Sequence, residues 1–287
     1  MYPISVIIPV YNEERAIVMV IDELKRILSV NKIQFELIAV NDGSNDNSRE
    51  ILNNIKDITV IHHPYNKGYG AALKTGIKHS KYDYVCIIDA DNTYPIDAIP
   101  DMHKYLNEYD MVVGARIGLA VDIPSMRKFA KLFLTKLANY LVGSNIPDLN
   151  SGLRIFKKEA AIINMNILPS GFSFTTTITC AMMSSDYFVK FFPINYYQRT
   201  GESKIRPFHA FEFLLLVIRL IVYFKPLKIF APAALACFLL GFFRALYTII
   251  RDNWKITELS VMMLISALMI FLIGLLADMF VKSRTAK

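Results

Sequence analysis

Residues 84–92 read Y-V-C-I-I-D-A-D-N, a short apolar run that ends in two carboxylates. The apolar part, Tyr84–Ile88, has the length and composition of a buried strand. Similar runs occur along the first half of the chain, and segments with helical spacing at Glu13–Leu28 and Gly70–His79 separate some of them. These other runs are Ile4–Ile8, Phe35–Val40, Ile58–Ile61 and Met111–Val113. Strands that alternate with helices predict an α/β fold, a mostly parallel sheet with helices on both faces.

Polar segments follow three of these predicted strands at the point where each strand ends. They are Pro9–Glu14, Asn41–Asp46 and Asp89–Asn92. Ligands of open α/β sheets bind beyond the carboxyl ends of the strands. The sequence therefore predicts that a binding site lies at this edge of the sheet.

The pair Asp89 and Asp91 indicates a metal at that edge. Carboxylate oxygens suit hard cations such as Mg²⁺ and Mn²⁺, which usually complete their shell with phosphate oxygens. A D-x-D pair also arises by chance or caps a loop, so the residues alone leave a metal site and a loop cap both open. Asp42 likewise suits an Asx-turn as well as a binding site. Gly68-x-Gly70 lacks the third glycine of a dinucleotide fingerprint, and the sequence has no P-loop motif. Both facts argue against a Rossmann dehydrogenase and a P-loop NTPase.

The C-terminal part of the chain is strongly apolar. The 287 residues are 54% hydrophobic and only 20% charged, and the apolar excess is concentrated at about 229–250 and 259–281. Each run approaches the roughly 20 residues that a helix needs to cross a bilayer. We expect a two-helix transmembrane hairpin within residues 227–287, with a pair of buried core helices as the alternative. Residues 1–207 then form the α/β domain.

Residues 208–226 lie between these two parts. Their apolar side chains are interrupted by His209, Glu212 and Arg219. This pattern predicts an interfacial amphipathic helix, or else a domain helix with one buried face.

The charge pattern separates the two sides of the expected hairpin. The net charge is +7, but the chain has no basic run that would favour nucleic acid as a partner. Five basic residues flank the hairpin, against Arg251 and Lys255 in its link; the five are Lys225, Lys228, Lys282, Arg284 and Lys287. The positive-inside rule therefore predicts a cytoplasmic N-terminal domain. No signal peptide is expected, and the spacing of the three cysteines argues against a disulfide scaffold or a zinc ribbon.

Five motifs in chain order carry a family resemblance. Ser5–Glu14 reads S-V-I-I-P-V-Y-N-E-E, Asn41–Asp46 reads N-D-G-S-N-D, and residues 89–91 are the D-x-D. Asn150–Phe156 reads N-S-G-L-R-I-F, and Gln198–Lys204 reads Q-R-T-G-E-S-K. Together they resemble the family 2 glycosyltransferases, which have the GT-A (Rossmann-like) fold. With the hairpin, the chain is similar to the branch that includes dolichol-phosphate mannose synthase and bacterial polyprenyl-phosphate glycosyltransferases.

The resemblance implies a donor site and a metal site. The nucleoside of a UDP- or GDP-linked sugar would be held by Pro9, Tyr11, Glu13 and Asp42. Asp89, Ala90 and Asp91 would contact the ribose, the diphosphate and a bound Mg²⁺ or Mn²⁺, with Asp91 as the direct ligand and Asp89 and Thr93 beside it. Two positions depart from the family pattern, because Asn41 replaces the first acid of a D-D-G-S turn and Thr93 stands where a glutamine is usual.

The resemblance also implies groups for the leaving and accepting phosphates. Arg199 and Lys204 would neutralise the donor diphosphate, and Arg116 and Arg127 would lie near the acceptor phosphate. Asp148 stands where inverting members carry a catalytic Asp, so the implied catalytic set is Asp148, Asp91 and Arg199. A hydroxyl acceptor needs a base, whereas a lipid phosphate is already an anion, so with a phosphate acceptor Asp148 would only orient groups. The alternative is that Asp148 caps a loop near Pro147.

The activity that the resemblance implies is that of a metal-dependent, inverting hexosyltransferase. It would move a sugar to an undecaprenyl or dolichyl phosphate at the cytoplasmic face of the membrane, as an integral membrane protein. One alternative is transfer to a lipid or polysaccharide hydroxyl. Another is an inactive homologue that acts as a membrane scaffold. Self-association stays open.

Overall fold

The computed structural model describes residues 2–116, 135–140, 142–171, 173–195, 197, 218–219, 221–251 and 256–285. The chain divides into two compact units, Met1–Phe213 and Leu214–Lys287. The first unit is built on a sheet, and the second contains the two long apolar helices.

A seven-stranded sheet forms the centre of the first unit, in the order β3-β2-β1-β4-β6-β5-β7. Its strands are β1 Ile4–Val10, β2 Phe35–Asn41, β3 Thr59–His62, β4 Tyr84–Ile87, β5 Met111–Arg116, β6 Arg154–Lys157 and β7 Val189–Ile194. Only β6 runs antiparallel to its neighbours, β4 and β5. The predicted mostly parallel sheet is therefore confirmed.

Helices cover both faces of this sheet, as predicted. They are α1 Ile17–Val30, α2 Ser48–Asn54, α3 Tyr69–His79, α4 Ile99–His103, α5 Lys158–Ile163 and α6 Phe174–Ser184, and 3₁₀ turns at Ile96–Ala98 and Lys104–Asn107 extend α4. Alternate residues of β1 point to opposite faces. Ile8 packs with Ile21 of α1 on one face, and Ile7 packs with Leu73 of α3 on the other.

The first helix begins later than its apolar spacing suggests. Glu13–Leu28 was the expected span, but α1 starts at Ile17. The backbone N–H of Glu13 instead donates to Ser48 Oγ at 3.0 Å, and that of Glu14 donates to the carboxylate of Asp46 at 3.1 Å. These bonds to a distant loop hold both residues outside the helix and keep them at the edge of the sheet.

The first strand also runs further than expected, through Pro9 to Val10. A proline inside a central strand loses one ladder hydrogen bond. Here the pairing of β1 with β4 ends at Ile7, so the side of β1 that faces β4 needs no donor at Pro9. The extra residues carry the backbone out to the carboxyl edge, where Tyr11 and Glu13 follow.

The second unit contains an antiparallel helix pair, α7 Leu227–Arg251 and α8 Glu258–Thr285. Both helices are long and apolar enough to cross a membrane. They approach closely at glycines: a Cβ on Gly241 would lie 2.9 Å from Cβ of Met263, and one on Gly274 would press on Phe230. The interfacial helix expected at 208–226 lies mostly outside the described residues, of which 218–219 and 221–224 are helical.

Candidate active site

Two of the predicted polar segments are joined by hydrogen bonds at the carboxyl edge of the sheet. Asn12, whose φ of 55° is left-handed, donates its backbone N–H to Ser44 Oγ at 3.0 Å. Its side-chain oxygen accepts the N–H of Asn45 at 2.8 Å. The segments after β1 and β2 therefore form one polar surface, on which Tyr11 and Glu13 are half-buried.

The buried carboxylate of Asp42 holds the segment that leads into α3. Its Oδ1 lies 2.6 Å from Nδ1 of His63 and accepts the N–H of Lys67 at 2.9 Å, and its Oδ2 accepts the N–H of Gly68 at 2.8 Å. Gly68 has a φ of 101°, a conformation open to glycine. Asp42 thus fixes the chain just before Tyr69.

The N-D-G-S turn is capped by Asn41, one of the two residues that depart from the family pattern. The side-chain oxygen of Asn41 accepts the N–H of Ser44 at 3.0 Å, and its amide nitrogen lies 3.2 Å from Nδ1 of His62. An amide supplies both an acceptor and a donor, whereas an ionised aspartate would supply acceptors only. Asn41 can therefore accept the Ser44 N–H and at the same time place an N–H group beside His62.

The first acid of the D-x-D is held between a tyrosine and a glycine. The hydroxyl of Tyr69 donates to Oδ1 of Asp89 at 2.8 Å. On its other side the Asp89 carboxylate packs on Gly152, where a Cβ would collide with it. Burial raises the pKa of the Tyr69 phenol well above its ordinary value, and the adjacent Asp89 raises it further. The tyrosine therefore stays a hydrogen-bond donor.

The second acid, Asp91, is oriented by its near neighbour Thr93. Oδ1 of Asp91 accepts the Thr93 hydroxyl at 2.6 Å and the Thr93 N–H at 3.2 Å. Asp89 and Asp91 supply hard oxygen ligands, and the described residues include no cluster of three or more histidine, cysteine or acidic side chains. A divalent cation that takes two carboxylates and completes its shell with phosphate oxygens fits this donor set.

The N-S-G turn connects the D-x-D, which follows β4, to strand β5, which lies on the other side of β6 in the sheet. Gly152 donates its N–H to the hydroxyl of Tyr94 at 2.6 Å, three residues beyond Asp91. Ser151 donates to the backbone oxygen of Gly114 in β5 at 2.5 Å. The turn is thus tied to both chain segments that carry candidate site residues.

Arg154, which we did not single out from the sequence, lies fully buried behind this turn. Its guanidinium donates to the Thr175 oxygen at 2.8 Å, to Thr179 Oγ1 at 2.7 Å and to the Ser151 oxygen, while its Nε has no partner. Burial lowers its pKa to about 10, although Asp148 and Asp89 among its neighbours favour the charged form. Thr175 and Thr179 of α6 therefore bind a buried cation through hydrogen bonds.

Arg116, predicted near the acceptor phosphate, and Asp148, predicted in the catalytic set, form an ion pair. Nε of Arg116 donates to Oδ2 of Asp148 at 2.7 Å, and Nη2 donates to Oδ1 at 2.9 Å. The backbone N–H groups of Arg116 and Asn150 donate to the same carboxylate. Burial alone would raise the pKa of Asp148, but the Arg116 guanidinium and these N–H groups hold it below its ordinary value.

The other predicted residues are placed as follows. Pro9 is buried within β1, and Ala90 is buried in the core. Arg127, Arg199 and Lys204 lie outside the described residues. The structure therefore brings Asp89, Asp91 and the Arg116–Asp148 pair to connected segments of one sheet edge.

Comparison with protein families matches both parts of the chain. The model of glycosyl transferase family 2 matches residues 5–162, and the model named GtrB C-terminal hairpin matches residues 225–282.

Individual proteins match over large parts of the chain. A dolichyl-phosphate hexose transferase of Haloferax volcanii is 30% identical over 207 residues, which cover 71% of this chain and 87% of that protein. The bactoprenol glucosyl transferase of Shigella phage SfV is 30% identical over 171 residues, 58% of this chain and 55% of that protein. The crystal structure of glucosyl-3-phosphoglycerate synthase from Mycobacterium tuberculosis, with Mn²⁺, UDP and phosphoglyceric acid, shares the fold. Its TM-score is 0.56 at 21% identity, over 77% of this chain and 76% of that one.

Proposed function

The chain belongs to glycosyl transferase family 2, and from that premise we propose that it transfers a hexose from a nucleotide-diphosphate sugar to a polyprenyl phosphate. An oxygen of the acceptor phosphate forms the new bond to the anomeric carbon as the bond to the donor diphosphate breaks. The configuration inverts, and the nucleoside diphosphate leaves. Relatives whose names give dolichyl phosphate and bactoprenol support this class of acceptor.

The observation that carries the proposal is the hydrogen bonding of the Asp148 carboxylate and its lowered pKa. A hydroxyl acceptor has to lose its proton to a base during transfer. The carboxylate of Asp148 is occupied by Arg116 and two backbone N–H groups, and its pKa lies below the ordinary value, which makes it a weak base. A lipid phosphate is already an anion and needs no base. The pair therefore favours a phosphate acceptor over a hydroxyl.

Arg116 has the geometry to bind that phosphate. Its side chain is about a quarter exposed, with 26% of its surface accessible, while Asp148 is more deeply placed. The guanidinium fork binds carboxylates and phosphates in the same bidentate way. When the acceptor arrives, Arg116 exchanges the carboxylate for the phosphate, and Asp148 keeps its bonds from the N–H groups of Arg116 and Asn150.

The donor diphosphate is assigned to the D-x-D side of the site. Asp89 and Asp91 would hold Mg²⁺ or Mn²⁺, with Tyr69 and Thr93 orienting their carboxylates. When bound, such a cation stabilises the negative charge that develops on the leaving diphosphate. Arg199 and Lys204 are proposed to add positive charge there, on the strength of the motif alone.

The hairpin is proposed to span the membrane and to keep the enzyme beside its lipid substrate. The hairpin match and the two long apolar helices support this anchoring. The excess of flanking basic residues supports a cytoplasmic catalytic unit. Protease added outside sealed right-side-out cells should then leave that unit intact, and its digestion would reverse the orientation.

The acceptor class is tested with membranes that contain the full chain. Each radiolabelled UDP- or GDP-hexose is supplied together with either polyprenyl phosphate or polyprenol of the same length. We expect label in the lipid extract only with the phosphate, and release of that label by mild acid. Label transferred equally well to polyprenol, or resistant to mild acid, would overturn the proposal in favour of a hydroxyl acceptor.

A further inference from the structure

One charged residue interrupts the apolar length of α7. Arg244 is the only charged residue between Lys228 and Arg251. At 1.5 Å per residue it lies about 10 Å before the end of the helix. An ionisable side chain inside a membrane span is costly unless it reaches a polar partner, so its surroundings indicate what it binds.

Arg244 lies at the edge of the face of α7 that packs on α8, and its side chain is exposed. Gly241, Ala245 and Thr248 are the buried residues in this part of α7. Arg244, Tyr247 and Arg251 are exposed. Their spacing of three and then four residues places them on one side of the helix. We call these three residues the basic strip.

Two residues of the basic strip, Tyr247 and Arg251, contact each other in the structure. Arg251 donates to the hydroxyl of Tyr247, and its guanidinium carbon lies 5.6 Å from the centre of the Tyr247 ring. Within the described part of the chain, the ion pairs of the hairpin are confined to Lys282 and Asp278, near the opposite end of α8. Neither arginine of the strip therefore has a carboxylate partner among these residues.

We propose that the basic strip binds the phosphate of an anionic phospholipid headgroup in the leaflet nearest the end of α7 at Arg251. The inference rests on the proposed membrane span of the hairpin. Arg244 extends its guanidinium toward the interface, as long basic side chains near helix ends do. Two guanidinium forks and a tyrosine hydroxyl match the oxygens of one phosphate. Tyr247 lies about one helical turn before the end of α7 at Arg251, where a tyrosine of a membrane-spanning helix would meet the interface.

The chain contains its own reporter for this site, because its single tryptophan is Trp254, three residues beyond Arg251. The full chain is reconstituted in phosphatidylcholine vesicles that hold brominated phosphatidylglycerol or brominated phosphatidylcholine at the same fraction. We expect stronger quenching of Trp254 by the brominated phosphatidylglycerol. Each arginine should contribute about fivefold to the preference at low salt. Arg244→Gln should lower it, the double variant with Arg251→Gln should abolish it, and Arg244→Lys should retain part of it.

The matched control is Lys228→Gln, a charge change on the same helix about 24 Å from Arg244, which should leave the preference unchanged. Equal quenching by both lipids in the unaltered chain would overturn the inference, as would a preference that survives the double variant. If Glu258→Gln acts like Arg244→Gln and the effect depends on protein density, the strip pairs with a second copy instead. Absence of quenching by either lipid would overturn the membrane span itself. Sugar transfer is measured in the same vesicles, so that loss of transfer with intact lipid preference counts against the proposed function alone.

Discussion

The Arg116 guanidinium donates two hydrogen bonds to the Asp148 carboxylate, at 2.7 Å from Nε and 2.9 Å from Nη2. A bound phosphate would take the same place on the fork, so Asp148 competes with the proposed acceptor. We predict that Asp148→Asn lowers the KM for polyprenyl phosphate by about tenfold, because a charge-assisted bond is worth about 1.5–3 kcal/mol and the amide retains part of it. Initial rates at saturating donor give this KM.

A matched control for that variant is Asp110→Asn. Asp110 forms an ion pair with Lys157 at 2.6 Å, at the opposite end of β5 from Arg116. Its loss should leave the acceptor KM unchanged. If Asp148→Asn instead lowers kcat by several orders of magnitude at constant KM, Asp148 is a general base and the hydroxyl acceptor becomes the better assignment.

The contact between Gly152 and Asp89 makes a second prediction. A Cβ at position 152 would collide with the Asp89 carboxylate, so Gly152→Ala should displace that carboxylate from its bond with Tyr69. We expect at least a tenfold loss of transfer and weaker Mn²⁺-dependent binding of the nucleotide, with the fold retained by circular dichroism. Gly171→Ala is the control, because nothing lies within 4 Å of its Cβ position. Equal activity of the two variants would contradict the conclusion that Gly152 positions the Asp89 carboxylate.

The mostly parallel sheet is predictable because its signals are local. Buried strands between helices are nearly continuous apolar runs, as at Tyr84–Ile87, and they need no information from elsewhere in the chain. The antiparallel strand β6 is different. Arg154–Lys157 contains only two apolar residues, and its place between β4 and β5 depends on pairing with strands distant in sequence. That pairing leaves no periodic pattern to detect.

The candidate site was predictable to the extent that it follows strand ends. Asp89 and Asp91 come directly after a buried run, so their place at the edge follows from the parallel sheet. The burial of Arg154 could not be inferred, since a basic residue beside two apolar ones is more typical of a surface strand. Two of its hydrogen-bond partners, Thr175 and Thr179, come more than twenty residues later in the chain.

The third prediction concerns the metal. Asp91→Asn should remove Mn²⁺-dependent binding of UDP or GDP while the thermal unfolding of the chain stays close to that of the unaltered protein, because Asp91 lies on a loop beyond the sheet. Thr93→Val should weaken that binding by about tenfold, and Thr93→Ser should preserve it, since the Thr93 hydroxyl orients the Asp91 carboxylate. Titration calorimetry measures all three. The control is Asp97→Asn, an exposed acid close by in sequence, and metal dependence that survives in Asp91→Asn would remove this residue from the metal site.

The buried cation Arg154 supports the fourth prediction. Its guanidinium satisfies the oxygens of Ser151 and Thr175 and the hydroxyl of Thr179. The Thr175 oxygen also accepts the Thr179 hydroxyl, so Arg154→Met would leave two buried acceptors, the Ser151 oxygen and the Thr179 hydroxyl, without the guanidinium donor. At about 1–3 kcal/mol each, we expect a total loss of roughly 2–6 kcal/mol in the free energy of unfolding. Arg154→Lys keeps a charge and should lose about half as much. Lys157→Met, on the same strand but in a more exposed ion pair, should cost less than about 1 kcal/mol.

Denaturant unfolding of the full chain in detergent, followed by circular dichroism, ranks the three variants. Apolar replacements of buried ions are sometimes neutral, and Arg154→Met as stable as the unaltered chain would show that here too the cation does not stabilise the turn carrying Gly152.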